Sequence, residues 1–115
     1  VDCGTVVNPA IVTAQMESGI LFGLSAALRG EAVFSDGEIS TRNFGDYRLV
    51  TLADAPRIEV HIEPSDAPPG GVGEPGTPPI APAVANALLA LDGRPVRRAH
   101  DLRNRGIRGL LVHRG

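Results

Sequence analysis

The longest regular pattern of apolar residues lies near the start of the chain and predicts a helix that packs against a core. The apolar positions that recur every four residues are Val12, Met16, Ile20, Leu24 and Leu28. This spacing places the side chains on one face of a helix. Asn8 is a favoured N-cap and Pro9 suits the first helical position, while Gly30 is typical of a helix end. We therefore predict a helix that begins at Pro9 and ends before Gly30.

Two further features of this helix bear on function. Gly19 and Gly23 lie one turn apart on the same face, which permits close approach of another backbone. Gln15 lies one residue from the apolar stripe, and its amide offers both donors and an acceptor to a ligand. The pattern by itself favours an exposed helix glutamine and leaves a ligand contact open.

Strand signals and a second helix follow the first. Asp36-Gly37 suits a type I′ turn and predicts a short hairpin over residues 31–41. Residues 57–63 alternate between apolar and charged positions, which predicts a strand. A second helix is predicted to open at Ala81-Pro82 and to be closed by Asp92-Gly93. The fold class we expect is α/β (α+β), with two helices packed on a small mixed sheet as an incomplete piece of a larger domain.

Between the predicted strand and the second helix, residues 64–82 contain seven prolines and four glycines. Glycine permits close backbone approach and proline fixes φ, so Glu74 lies on a stiff, narrow support. The composition alone favours a surface loop. A phosphate-binding loop is a weaker interpretation, because the chain has no lysine and no G-x-x-x-x-G-K-[ST] motif. The third interpretation is a carboxylate held in place to act as a general base.

Charge and composition narrow the function classes. The net charge is −2, but seven of the eleven arginines and one of the thirteen acidic residues follow Gly93. An arginine-rich end can bind nucleic acid, yet aromatic residues make up 3% of the chain, which leaves little surface for base stacking. We expect no nucleic-acid partner.

The sequence gives little indication of a protein-bound metal or of a membrane-spanning segment. Cys3 is the single cysteine, so the chain cannot form an internal disulfide or a cysteine-based zinc or iron–sulfur site. The three histidines are not closely spaced, and we predict no metal ligand from the protein. We also predict no apolar stretch of membrane-spanning length and no signal peptide, which leaves the compartment open between cytoplasm and periplasm. The chain begins without Met, and we expect it to be part of something longer.

Five stretches together resemble a known family. They are Val1-Asp2-Cys3-Gly4 to Asn8-Pro9, Gln15-Met16-Glu17 to Gly23-Leu24, Asn43-Phe44 with Asp46-Tyr47, Ile58-Glu59-Val60-His61-Ile62, and Gly70 to Leu88. In this combination the chain resembles the C-terminal segment of the molybdopterin-binding large subunit of the xanthine oxidase family of molybdenum hydroxylases. The nearest similarity is to the isoquinoline 1-oxidoreductase β-subunit and aldehyde oxidoreductase type. It covers residues 1–98, which predicts one domain segment there and an arginine-rich divergent or flexible tail over residues 99–115.

The resemblance implies a function and a set of partners. Glu74 would be the catalytic base of an oxidoreductase that hydroxylates an aldehyde or an N-heteroaromatic substrate with oxygen from water. Gln15 and Gly73 would contact a molybdopterin-type cofactor, for which a cytosine dinucleotide form is one option. Iron–sulfur clusters would lie in a partner subunit only, and the remainder of the large subunit would complete the site. The isolated chain is expected to be inactive, and a non-catalytic remnant or assembly module of such an enzyme is the alternative.

Overall fold

The computed structural model describes residues 1–112 of the chain, and the side chains of residues 1–105. Helix α1 spans Pro9–Leu28. The Asn8 side chain caps it, because its Oδ1 accepts hydrogen bonds from the backbone N–H of Ala10 at 3.1 Å and of Ile11 at 3.4 Å. The predicted helix and its N-cap are therefore confirmed.

A two-stranded hairpin follows α1. Strand β1, Phe34–Ser35, pairs antiparallel with β2, Glu38–Ile39, and Phe34 lies opposite Ile39. Asp36 and Gly37 both have positive φ, at 52° and 83°, as a type I′ turn requires. The hairpin prediction is confirmed, although all four strand residues are exposed.

The core lies between α1 and two further helices, α2 at Ile80–Asp92 and α3 at Ala99–Val112. Its buried members are Leu24, Ala27 and Leu28 of α1, Leu88 of α2 and Leu102 of α3. The α+β class is confirmed, with helices packed on one another beside a small antiparallel hairpin rather than layered on a mixed sheet. The core is aliphatic, as a chain with 3% aromatic residues requires.

Helix α3 lies within the stretch predicted to be a divergent or flexible tail. The sequence from residue 99 shows no clear apolar period, but the structure is helical from Ala99 to Val112, and Leu102 is 6% exposed in the core. Leu102, with the ion pairs of Arg103 and Arg105, holds the described part of this helix against the rest of the chain, and periodicity does not detect such contacts. Residues 113–115 of the predicted tail lie outside the described part of the chain. The division of the chain at residue 98 stays a prediction.

The prediction of a strand over residues 57–63 is wrong. In the described part of the chain, the paired strands are β1 and β2. The side chains do alternate in their exposure to solvent, since Ile58, Val60 and Ile62 are half-buried and the residues between them are exposed. A strand also needs a neighbour for its backbone. Here Val1 supplies isolated bonds: its N-terminus donates to the His61 carbonyl at 2.6 Å, and its carbonyl accepts from the Glu63 N–H at 2.8 Å.

The first residues of the chain run beside the start of residues 64–82, which form the Gly/Pro loop. The Thr5 N–H donates to the Ala67 carbonyl at 2.9 Å, and the Gly70 N–H donates to the Cys3 carbonyl at 2.8 Å. Gly4 has φ of +71°, and a Cβ there would lie 2.2 Å from the Pro68 carbonyl oxygen. Glycine is required at this crossing. These bonds anchor the loop upstream of Glu74.

Arginines of α3 pair with one acidic residue just beyond α1 and one at the end of α2. Arg103 lies 2.8 Å from Glu31, and the Arg105 guanidinium contacts the Asp92 carboxylate at 2.6 Å and the Arg94 carbonyl at 2.8 Å. Both arginine side chains are about four-fifths buried, at 21% and 18% exposure. The two are therefore engaged within the chain, which weakens the interpretation of this end as a nucleic-acid arm. The absence of a nucleic-acid partner stays a prediction.

The Asp92 contacts predict a pH-dependent stability. The backbone hydrogen bond from Arg94, followed by the Arg105 guanidinium, lowers the pKa of Asp92 below its usual value. A carboxyl with a lower pKa in the folded state stabilises the fold above its unfolded pKa, and this contribution is lost as the pH falls through the folded pKa. Asp92→Asn is therefore expected to lower the Tm near neutral pH but not in strong acid. Thermal unfolding across the acid range measures this.

The matched control for this prediction is Asp66→Asn, which removes an exposed carboxylate outside the helices. We expect its Tm to follow that of the wild type across the pH range. A gap between wild type and Asp92→Asn that persists below the folded pKa would contradict an electrostatic origin.

Helix α1 also corrects an expectation about membranes. It has 20 residues and, by length and composition, it is apolar enough to cross a membrane, although the sequence led us to expect no stretch of that kind. Glu17 is the single charged residue within its bounds. The helix packs against α2 and α3, and a buried helix of a globular core passes the same test. The absence of a membrane span stays a prediction.

Candidate functional site

The Gly/Pro loop docks on the middle of α1 through backbone contacts between glycines. A Cβ on Gly76 would lie 2.9 Å from the Met16 carbonyl oxygen and 3.1 Å from the Ile20 nitrogen. On the helix side, a Cβ on Gly23 would lie 2.7 Å from the Thr77 carbonyl oxygen. The prediction that Gly19 and Gly23 permit close backbone approach is confirmed, and the approaching segment is the one that carries Glu74.

A threonine closes the contact between loop and helix. The Thr77 hydroxyl donates to the Gly19 carbonyl at 3.0 Å, and the Thr77 N–H donates to the Glu74 carbonyl at 2.9 Å. Thr77 thus ties the turn that begins at Glu74 to the helix. The Thr77 carbonyl in turn accepts from the Ile80 N–H at 3.3 Å, where α2 begins. The position of the Glu74 backbone is therefore fixed from two elements.

Removal of this hydroxyl is expected to loosen the loop. Thr77→Val keeps the side-chain shape but leaves the Gly19 carbonyl without this donor, and a typical hydrogen bond contributes about 1 kcal/mol to stability. Denaturant unfolding of the chain should show a loss of that size. Thr77→Ser, which retains the hydroxyl, should recover most of it. Equal losses for both variants would mean that the methyl group, not the hydroxyl, holds the loop.

The Glu74 side chain is exposed at the border of two cavities. One cavity, of about 410 Å³, is lined by Gly71, Gly73, Glu74, Pro75 and Pro78. The other, of about 380 Å³, is lined by Ser18, Gly19, Phe22, Gly73, Glu74, Thr77 and Pro78. No hydrogen bond or ion pair holds the Glu74 carboxylate among the side chains described. A carboxylate on a fixed backbone, with its oxygens available to a ligand, is able to accept a proton there.

Of the residues predicted from the sequence, Gly73 and Glu74 share both cavities. Gln15 is exposed and lies one turn before Ser18 and Gly19 along the same side of α1, without lining either cavity. A Cβ on Gly76 would meet α1 at Met16, Gly19 and Ile20, about two turns into the helix, because the glycines that admit the loop are in the middle of α1.

Three residues of the site were not identified from the sequence. Ser18 and Phe22 lie on α1 outside the apolar stripe, and Thr77 lies within the Gly/Pro loop, three residues after Glu74. The spacing of Gly19 and Gly23 was the one signal pointing to them, since residues beside a close helix contact must border whatever approaches it. Neither Phe22 nor Thr77 carries a local motif that distinguishes it.

Tyr47, Asp46 and His61 line neither of these two cavities. Tyr47 lines a separate cavity of about 350 Å³ with Phe44 and residues 41–43, and the Asp46 carboxylate accepts backbone hydrogen bonds from Arg42 and Asn43. Asp46 is thus engaged in its own turn. His61 is exposed. In the part of the chain that the structure describes, no three or more His, Cys, Asp or Glu residues are grouped to hold a metal ion.

Comparison with known proteins identifies relatives that match most of this chain. Residues 1–56 match the family model of a molybdopterin cofactor-binding domain. The isoquinoline 1-oxidoreductase subunit beta of Brevundimonas diminuta is 39% identical over 97 residues, which are 84% of this chain and 12% of that protein. The membrane-bound aldehyde dehydrogenase [pyrroloquinoline-quinone] of Gluconacetobacter polyoxogenes is 39% identical over 108 residues, which are 90% of this chain and 14% of that protein.

A solved structure has the same fold. The carbon monoxide-reduced state of the Cu,Mo-CO dehydrogenase superposes with a TM-score of 0.69 and 25% identity, over 97% of this chain and 16% of that chain. The chain spans about an eighth of the length of the two curated relatives described above. Since sequence family, curated relatives and fold agree, the chain belongs to the molybdopterin-binding xanthine oxidase family.

Proposed function

We propose that this chain is the segment of a molybdenum hydroxylase that supplies the catalytic base, Glu74. The observation that carries the proposal is the placement of Glu74: its carboxylate borders two cavities, and no described side chain is bonded to it. Its backbone is held by a loop that contacts α1 at Gly76 and Thr77. A fixed backbone with a free carboxylate is what general base catalysis requires.

The reaction that fits is hydroxylation of an aldehyde or an N-heteroaromatic ring. Water supplies the oxygen, a C–H bond of the substrate becomes C–OH, and a pair of electrons and a pair of protons are released. Glu74 would take a proton from the oxygen nucleophile as the C–O bond forms. The electrons would leave through iron–sulfur clusters of a partner subunit. The names of the relatives, which include an isoquinoline oxidoreductase and an aldehyde dehydrogenase, support these substrate classes.

The residues beside Glu74 fit a molybdopterin-type cofactor. A Cβ on Gly71 or Gly73 would meet no atom within 4 Å, so the backbone there is open to a bound group, and both residues line a cavity with Glu74. Gly73 would offer its backbone, and the exposed Gln15 would offer its amide. Bound molybdenum would supply the electron-accepting chemistry that no side chain of this chain provides. We propose further that the pterin is bound as its cytosine dinucleotide.

The site requires more protein than this chain contains. The cavities are bordered by a single loop and one side of α1, and relatives extend over about eight times the length of the matching region. We propose that the remainder of the large subunit encloses the cofactor and that an iron–sulfur subunit accepts the electrons. The isolated chain would then be inactive.

The test is reconstitution with these partners. The chain is co-expressed with the remainder of its large subunit and the electron-transfer subunit, and molybdenum content and oxidation of aldehydes or N-heterocycles are measured. We expect bound molybdenum and turnover that both depend on the chain. Folded partners that bind the chain but gain neither molybdenum nor turnover would instead identify it as a non-catalytic assembly module or remnant.

A further inference from the structure

Phe22 is an aromatic residue exposed beside the proposed base. It is 69% exposed, on the side of α1 away from the buried residues Leu24 and Leu28. Together with Ser18 and Gly19 it forms the helix side of the 380 Å³ cavity, while Glu74 and Pro78 belong to the loop side. The cavity therefore has an aromatic ring on one wall and a carboxylate on the other.

This combination is that of a small-molecule site. Ligand cavities have volumes of about 300 to 1,000 Å³ and are mostly apolar, with a few polar groups that orient the ligand. The cavity falls in this range and is lined by Phe22 and Pro78 as apolar surfaces and by Glu74, Ser18 and Thr77 as polar groups. A flat ring lying against Phe22 would gain stacking energy that a puckered ring of the same size does not.

We propose that Phe22 is a specificity-determining residue, whose ring forms the substrate-facing wall opposite Glu74 and selects substrates with a planar aromatic ring. The inference rests on the proposed function, because it takes the cavity beside the base as the substrate site. Phe22 holds the ring and Glu74 faces the carbon to be hydroxylated. The Thr77 hydroxyl ties the loop that carries Glu74 to α1, which carries Phe22.

The experiment compares two aldehydes of similar size in the reconstituted complex. Benzaldehyde has a planar aromatic ring, and cyclohexanecarbaldehyde has a puckered aliphatic one. Their dissociation constants are measured by calorimetry, and kcat/KM is measured for both. Phe22→Leu is expected to weaken benzaldehyde binding by about three- to tenfold, the equivalent of one aromatic pair, and to change cyclohexanecarbaldehyde binding by less than about twofold.

The control is Phe34→Leu, which removes a ring of similar exposure, 72%, from β1 of the hairpin. It should leave the preference between the two aldehydes unchanged. An unchanged preference in Phe22→Leu, or equal weakening of both ligands, would overturn the inference. If the wild type bound benzaldehyde more tightly than Phe22→Leu but did not oxidise it, the proposed function would be contradicted while the role of Phe22 in binding would stand. The two failures are therefore distinct.

Discussion

Glu74→Gln is expected to lower kcat of the reconstituted enzyme by a factor of about 10² to 10⁴, the usual contribution of a general base. Glutamine has nearly the same shape, so the loop contacts at Gly76 and Thr77 should be retained. What is lost is the ability of the side chain to accept a proton. Steady-state kinetics of aldehyde or N-heterocycle oxidation measure the effect.

Molybdenum content separates catalysis from assembly in this experiment. Metal analysis of Glu74→Gln should match the wild type, because the proposed cofactor contacts are Gln15 and Gly73. The control is Glu63→Gln, which neutralises an exposed carboxylate upstream of the loop and should leave kcat unchanged. If Glu74→Gln retained full turnover with normal molybdenum content, Glu74 would not be the base.

Gly76→Ala is expected to displace the loop that carries Glu74. The new Cβ would lie 2.9 Å from the Met16 carbonyl oxygen and 3.1 Å from the Ile20 nitrogen, both backbone atoms of a helix that cannot move aside easily. Overpacking of this kind costs about 1 to 3 kcal/mol. A displacement of about 1 Å of a catalytic group can reduce turnover by roughly 10²-fold. The free energy of unfolding, measured with denaturant, and the kcat of the reconstituted enzyme should therefore both decrease.

Gly70→Ala is the matched control within the same loop. Its Cβ would meet the Cys3 carbonyl oxygen at 3.6 Å, an ordinary van der Waals distance, and its φ is not positive. We expect stability and turnover close to those of the wild type. Similar losses in Gly70→Ala and Gly76→Ala would mean that any added side chain stiffens the loop harmfully, and that the close contact with α1 is not the cause.

Local signals predicted the elements whose causes lie within a few residues. Asn8 caps α1 through bonds to the N–H groups of residues two and three positions later, and Asp36-Gly37 forms the turn that its conformational preferences favour. The spacing of Gly19 and Gly23 also indicated a close contact, but not its partner. The composition of residues 64–82 distinguished the loop as a rigid support for Glu74 without showing where that support lies.

The sequence did not predict features that depend on contacts between residues far apart in the chain. Residues 57–63 have the alternation of a strand, yet they lack an adjacent strand in the described chain. Helix α3 has no clear apolar period, yet Leu102 joins the core and Arg105 pairs with Asp92. Both outcomes are set by residues far away in sequence, which a pattern along the chain does not contain.

The sequence by itself determined α1 with its cap, the hairpin, and the position of Glu74 within a stiff Gly/Pro loop, because backbone preferences and short-range hydrogen bonds act over neighbouring residues. The tertiary structure decided what the carboxylate faces. Docking of Gly76 and Thr77 on α1 brings Phe22 and Ser18 to the cavity that Glu74 borders. These residues are more than fifty positions apart in sequence, and only the packing of helix against loop makes them neighbours.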